Sequence, residues 1–224
     1  VMGWLSDYGE FLRSRHADIL TALREHVYIS AVSILLGAIV AIPIGIWLAG
    51  NRRGWLNGAV FTLANVLQTI PSLALLAILI PLLGIGRTPA VFALFLYSLM
   101  PIMRNTYSGF LAVDGNVLEA ARGMGYSRIQ RLLRIQLPLA FPYIMSGLRV
   151  TTVYIISWAT LATLIGAGGL GQLIFSGLGV NKKELIVTGA LLAVLLALVA
   201  DFLLGLAEKR VTARTRSKPV QNPA

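Results

Sequence analysis

Long apolar runs separated by short polar breaks make up most of this chain. Residues 27–48, 56–83, 89–113, 141–165 and 185–206 each approach or exceed the length of a bilayer crossing. A crossing takes about 20 predominantly apolar residues as a helix, so the pattern predicts five transmembrane helices. The strict alternation of a membrane barrel is absent. Two runs carry conspicuous polar interruptions. The second contains Asn65, Gln68, Thr69, Pro71 and Ser72, and the third contains Pro101 and Arg104. Residues 1–25 read differently: Trp4, Tyr8, Phe11, Leu12, Ile19 and Leu23 recur at helical spacing among charges. That predicts an amphipathic helix lying at the membrane interface. The polar, basic, proline-containing residues 211–224 are expected to be a disordered tail. The membrane domain is thus residues 26–210.

Composition agrees with this pattern. The chain is 57% hydrophobic and only 12% charged, with mean hydropathy +0.78. Charged residues make up about a quarter of an ordinary globular chain. The class is an all-α polytopic membrane protein. A net charge of +10 would suit nucleic acid in a soluble protein, but a membrane protein needs cytoplasmic Lys and Arg to orient itself, and no nucleic-acid partner is expected. An N-terminus outside places eleven Lys and Arg on the inner side: Arg52, Arg53, Arg122, Arg128, Arg131, Arg134, Lys209, Arg210, Arg214, Arg216 and Lys218. Six fall outside, namely Arg13, Arg15, Arg24, Arg87, Lys182 and Lys183. The bias predicts N-out and C-in, as an odd number of spans requires. With no cysteine there is no disulfide framework and no thiolate metal site. His16 and His26 have no partners nearby in sequence and read as solvated or interfacial residues. Residues 1–25 lack an apolar h-region, so no cleavable signal is expected.

The most specific stretch is EAARGMGYSRIQRLLRIQLP, residues 119–138, a basic segment between apolar runs. Glu119, Ala120 and Ala121 favour a short helix. Gly123 and Gly125 break it and allow a tight turn. Ser127 can cap a second helix, 128–136. That helix would set Ile129, Leu132, Leu133 and Ile135 against a side of Arg128, Arg131 and Arg134, and Pro138 would end it. A basic amphipathic helix can lie on anionic lipid. Small residues beside Glu119 and directional arginines suit a groove in a protein partner better.

Spaced as EAA, three residues, Gly, nine residues, Ile-x-Leu-Pro, residues 119–138 resemble the cytoplasmic loop of bacterial ABC importer permeases. Softer features point within that group to osmoprotectant permeases for glycine betaine, choline and carnitine. They are EHVYIS (25–30), AIPIGI (41–46), LQTIPSLALLAILIPLLGIG (67–86) and IGAGGLGQLIF (165–175). Methionine permeases share the Ile-Pro second span and the GAGGLGQ segment and are the nearest alternative. The resemblance implies a non-catalytic pore subunit with about five spans. Its implied partners are a second permease copy or related chain, an ATP-binding subunit and an extracytoplasmic substrate-binding protein, in the bacterial inner membrane. The coupling helix would sit in the ATPase, ATP and Mg²⁺ would bind that subunit, and this chain would bind no cofactor and no metal. Consistently, the chain has no G-x-x-x-x-G-K-S/T.

Other residues extend this reading. Gln68, Thr69, Pro71 and Ser72 put polar groups and a proline at mid-span. Backbone of that kind is tolerated only where protein or water surrounds it, which predicts a translocation path. Tyr154 and Trp158, four apart, share a helix face. Quaternary ammonium ions bind over such faces, although packing is the commoner role of an aromatic pair. Gly166, Gly168, Gly169 and Gly171 form an outer loop, read as a gate or binding-protein contact, or as a flexible or re-entrant turn. Arg104, Arg149 and Asp201 are charges inside spans, where an unpaired charge costs at least ~2.5 kcal/mol at the bilayer centre. Asp201 is therefore expected to pair with Arg149 or Arg104, in a structural role. A gradient-driven transporter or channel is the alternative of a different class. It usually needs ionisable groups near the midplane, and it leaves residues 119–138 without a purpose.

Overall fold

The computed structural model describes residues 2–51 and 53–215, with side chains from Tyr8 to Thr212 apart from Arg52. Trp4 and Arg214 therefore lie outside the described side chains, and Arg52, Arg216 and Lys218 outside the described residues. Among the described residues every regular element is helical.

The expected interfacial segment divides in two. Helix α1 (Met2–Ser14) ends at a bend, and the residues after it are the first turns of α2 (His16–Gly50), one helix of 35 residues. Nothing in that stretch stops a helix, and even Pro43 lies inside it. The apolar side of the segment meets protein: Phe11 and Ala22 are buried with Leu170, Leu173 and Leu185. The Tyr8 hydroxyl also lies 2.8 Å from Thr188 Oγ1.

The run expected as one second span is two helices, α3 (Gly54–Thr69) and α4 (Ser72–Leu83), bent by 95°. Helix α5 (Arg87–Leu111) packs between α2 and α8 (Leu137–Ala159). A short helix α6 (Gly115–Gly123) and a one-turn α7 (Arg128–Arg131) join α5 to α8. Between α7 and α8, Leu132–Gln136 is a π-helical turn. The sequence predicted that Pro138 would end the second helix; instead the chain stays helical through Pro138, which stands in the first turn of α8. The wider turn, with Leu137 N–H donating to Leu132 O, brings the helix past a residue that has no N–H to give. After α8 come a 3₁₀ turn (Leu161–Ile165), α9 (Leu170–Gly179) and α10 (Lys183–Thr215). The first residues of the expected tail thus continue α10.

Three stretches, His16–Gly50, Arg128–Ala159 and Lys183–Thr212, are long and apolar enough to cross a membrane, and the bent pair counts as a fourth. The expected third span, α5, is long enough but less apolar. Ser98 and Thr106 on it are fully buried, because its neighbours shield it from lipid. Lipid gives helices no hydrophobic reason to associate, so small residues and close approach hold them together. A Cβ at Gly45 would lie 2.8 Å from Met103 O, and one at Gly147 2.7 Å from Asn105 Cβ. Helix α10 is peripheral, and its outer face is apolar: Leu191, Val194, Leu195, Leu198, Val199, Phe202 and Leu203 are exposed. The bundle has an arginine-rich end, at α6–α7, and a glycine-rich end, at residues 166–169.

Candidate coupling loop and translocation path

The α6–α7 loop is built by three local devices. Asp114 caps α6, its Oδ1 accepting from Asn116 N–H at 2.8 Å. Gly125, at φ 81°, closes α6 with Tyr126 N–H donating to Ala121 O and Gly125 N–H to Arg122 O. This is the glycine-terminated C-cap of a helix, and it fixes why a glycine stands four residues after Ala121. Gly123 is simply the last helical residue, so Gly125 alone makes the turn. Ser127 and Gln130 then form a reciprocal capping box, with Ser127 N–H to Gln130 Oε1 at 2.8 Å and Gln130 N–H to Ser127 Oγ at 3.3 Å.

What this loop presents is specific. Glu119, Ala120, Gly123 and Gly125 are exposed, whereas Ala121 is buried against its own chain. Met124 and Ile129 are 69% and 67% exposed at the apex. The expected apolar side does not form one face, since Ile129 and Leu133 point outward while Leu132 and Ile135 are half-buried. Behind the loop a cavity of about 580 Å³ is lined by Arg122, Arg128, Arg131, Gly50 and Phe110. Among the described residues no ion pair engages Glu119 or these arginines.

The bend between α3 and α4 is held by Tyr97. Its hydroxyl donates to Ile70 O at 2.6 Å, and Gln68 Nε2 donates to Tyr97 O at 3.2 Å. The Ile70 carbonyl, at the break between the two helices, is thereby satisfied. Tyr97 also meets Trp158, ring centroids 4.8 Å apart, and Trp158 stacks on Tyr154 at 5.9 Å and 16°. So Gln68, Ile70, Trp158 and Tyr154 form one contiguous patch through Tyr97. Thr69 and Pro71 lie exposed beside it and Ser72 is half-buried.

At the other end, Gly166, Gly168, Gly169 and Gly171 make a packed knot rather than a flexible loop. Gly168 and Gly169 have φ 81° and 88°. A Cβ at Gly168 would lie 2.1 Å from Glu25 Oε2, and one at Gly171 2.0 Å from Thr160 O. Glu25 accepts from Gly169 N–H at 3.0 Å and pairs with Arg87 at 2.5 Å. His26, expected to be solvated or interfacial, is fully buried. Its Nδ1 accepts from Leu170 N–H at 3.3 Å, and its Nε2 donates to Ile156 O at 2.9 Å. Both bonds require the neutral Nε2–H form.

Of the charges inside spans, Arg149 binds Asp201 bidentately, at 2.8 and 3.0 Å, and reaches Glu208 at 3.0 Å. Gly205 leaves space for the guanidinium. Arg104 takes no part, and lies 5.6 Å over the Phe61 ring. Among the described residues no cluster of His, Asp or Glu could hold a metal ion.

Residues 41–213 match the family model described as binding-protein-dependent transport system inner membrane component. The chain belongs to that family. Relatives of this inner membrane component include the glycine betaine/carnitine/choline transport system permease protein OpuCB of Bacillus subtilis. It is 46% identical over 90% of this chain and 92% of its own length. The choline transport system permease protein OpuBB of B. subtilis is 44% identical over 91% and 93%. The carnitine transport permease protein OpuCB of Listeria monocytogenes is 44% identical over 90% and 92%. Among solved structures, a chain of the MetNI methionine ABC transporter in an inward-facing conformation superposes with TM-score 0.76. It covers 89% of this chain and 96% of that one at 24% identity, a likeness of fold.

As a member of this permease family the chain is a multi-pass membrane protein. Glu119, Ala120, Gly125 and Arg128 are gathered on one projecting loop, Gln68 with Tyr154 and Trp158 on one patch, and the four loop glycines in one knot. The links that sequence reasoning missed, Tyr97 at the bend, Glu208 beside Arg149, and Glu25 with His26 under the glycines, all join positions far apart in sequence. Glu208 alone left a local signal, standing seven residues after Asp201 on the same helix face.

Proposed function

We propose that this chain is the membrane-spanning subunit of an ATP-driven importer of quaternary amine osmoprotectants such as glycine betaine, choline and carnitine. The substrate class is supported by the relatives, whose names carry those three solutes over nine-tenths of both chains. The coupling role is supported by one observation above all, the projecting α6–α7 loop with unpaired Glu119 and arginines and an apolar apex at Met124 and Ile129. Such a surface fits a cleft in a protein partner.

In this reading the arginine-rich end is cytoplasmic, in the bacterial inner membrane, with N-out and C-in. A separate subunit binds ATP and Mg²⁺ and hydrolyses the nucleotide. An extracytoplasmic protein delivers solute at the glycine-rich end, and a second permease copy or related chain completes the path. Closure of the ATPase pair moves α6 as a rigid body. Because α7 runs without a break into α8, that movement passes directly to the helix carrying Tyr154 and Trp158.

Substrate-stimulated ATP hydrolysis in proteoliposomes tests this. With its ATPase and binding protein, the wild-type chain is expected to respond to betaine-type solutes, and Glu119→Arg to abolish the response. A folded wild-type chain that fails to assemble with the ATPase would overturn the coupling role. Stimulation by methionine alone would overturn the substrate class.

A further inference from the structure

We propose that Tyr154 and Trp158, backed by Tyr97, form a cation–π subsite for the quaternary ammonium head of the solute inside the permease itself. The proposal rests on the substrate class inferred above. Three observations and the chemistry of the solute carry it.

The rings are arranged as a face rather than as filler. Tyr154 is 52% exposed. It lies nearly parallel to Trp158, which Tyr97 meets at 4.8 Å and a tilt of 56°. Tyr97 is fixed by its own hydrogen bond to Ile70 O. A buried ring therefore props a half-buried one, and that one props an exposed one.

Helix α3, which joins the ring patch through Gln68 and Tyr97, carries polar groups on its exposed side. Thr62, Asn65 and Thr69 are exposed along α3 at the i, i+3, i+7 spacing of one helix side, with Val66 exposed among them. Among the described residues nothing in the chain hydrogen-bonds the Asn65 side chain. An exposed, unpartnered amide in hydrocarbon is costly, so this side meets water or polar protein. The outer side of α10 between Leu191 and Leu203, in contrast, exposes only apolar side chains.

The region holds no competing anion. Helices α3, α4, α5 and α8 contain no Asp or Glu. The carboxylates packed against them, Asp201 and Glu208 on Arg149 and Glu25 on Arg87, are each held by an arginine, and aromatic faces are the remaining attractors.

The chemistry suits passage. A tetra-alkyl ammonium offers no N–H donor, so hydrogen-bonding side chains cannot hold it. A π face binds it loosely enough to release it toward the next position.

The test is equilibrium binding of choline to the assembled permease–ATPase complex without binding protein, beside betaine and choline uptake by the full system. Trp158→Leu and Tyr154→Leu are expected to weaken choline binding about tenfold, while Trp158→Phe and Tyr154→Phe retain most of it. The uncharged carbon isostere 3,3-dimethylbutan-1-ol is expected not to compete. Tyr154, being exposed, keeps the test open if Trp158→Leu does not fold, and ATPase assembly reports folding. Choline binding unchanged in a folded Leu variant, or competition by the isostere equal to choline's, overturns the subsite. If uptake of quaternary amines by wild type is intact in that case, the substrate class stands and only the subsite falls. If wild type imports no quaternary amine, the substrate class falls and the subsite with it.

Discussion

Gly171 has no room for a side chain, since its Cβ would lie 2.0 Å from the Thr160 carbonyl oxygen. That neighbour is backbone and cannot swing aside. Gly171→Ala is expected to cost about 1–3 kcal/mol, read as a lower melting temperature in detergent. Gly58→Ala, where a Cβ meets nothing within 4 Å, should leave it unchanged or raised. If the two variants melt alike, the knot is looser than described. His26 shows why such positions are hard to read in advance. Its partners Ile156 and Leu170 lie 130 and 144 positions away, so a lone histidine beside a charged segment read as interfacial. Ser127 is the opposite case. Serine followed three residues later by glutamine is a helix-start signal in the sequence, and the structure forms that cap.

At the scale of elements, the coupling loop is a chain of local rules, and its stability should follow them. Ser127→Ala is expected to remove about 1 kcal/mol from the start of α7. Hydrogen exchange should accelerate at the Gln130 amide while α8 stays protected. Gly125→Ala forces a side chain into the left-handed region at φ 81°, a strain of about 1–2 kcal/mol, so coupling should suffer more than from the Ser127 change. The staple between α8 and α10 is of another kind. Arg149→Asp leaves Asp201 and Glu208 without their cation and sets three carboxylates together. That variant should assemble poorly, and adding Asp201→Arg should restore part of the folded yield. No recovery in the double variant would argue against the pairing as a hold on α10. The pairing was foreseeable from cost alone, since charges inside spans need partners. Choosing Arg149 over Arg104 was not, because it depends on which face of α10 meets α8.

For the molecule as a whole, the absence of cysteine makes single-cysteine probes clean reporters of environment. A cysteine at Asn65 or Thr69 is expected to react with a hydrophilic maleimide, and one at Leu195 or Val199 to resist it. Equal reactivity would remove the distinction between an aqueous side and a lipid side. In right-side-out vesicles, a cysteine at Lys183 should label directly and one at Glu119 only after permeabilisation, and the reverse would overturn N-out. By itself the sequence determined the class, the apolar stretches, the charge bias and the loop at residues 119–138. Each of these is a matter of local composition or spacing, and the cost of polar groups in hydrocarbon acts on every residue separately. Tertiary structure decided the 95° bend at Pro71, the exposure of Tyr154, the burial of His26 and the choice of Arg149. These depend on which distant surfaces meet, and in lipid that is settled by close fit between small residues and by satisfying buried polar groups, neither of which is written in a hydropathy pattern.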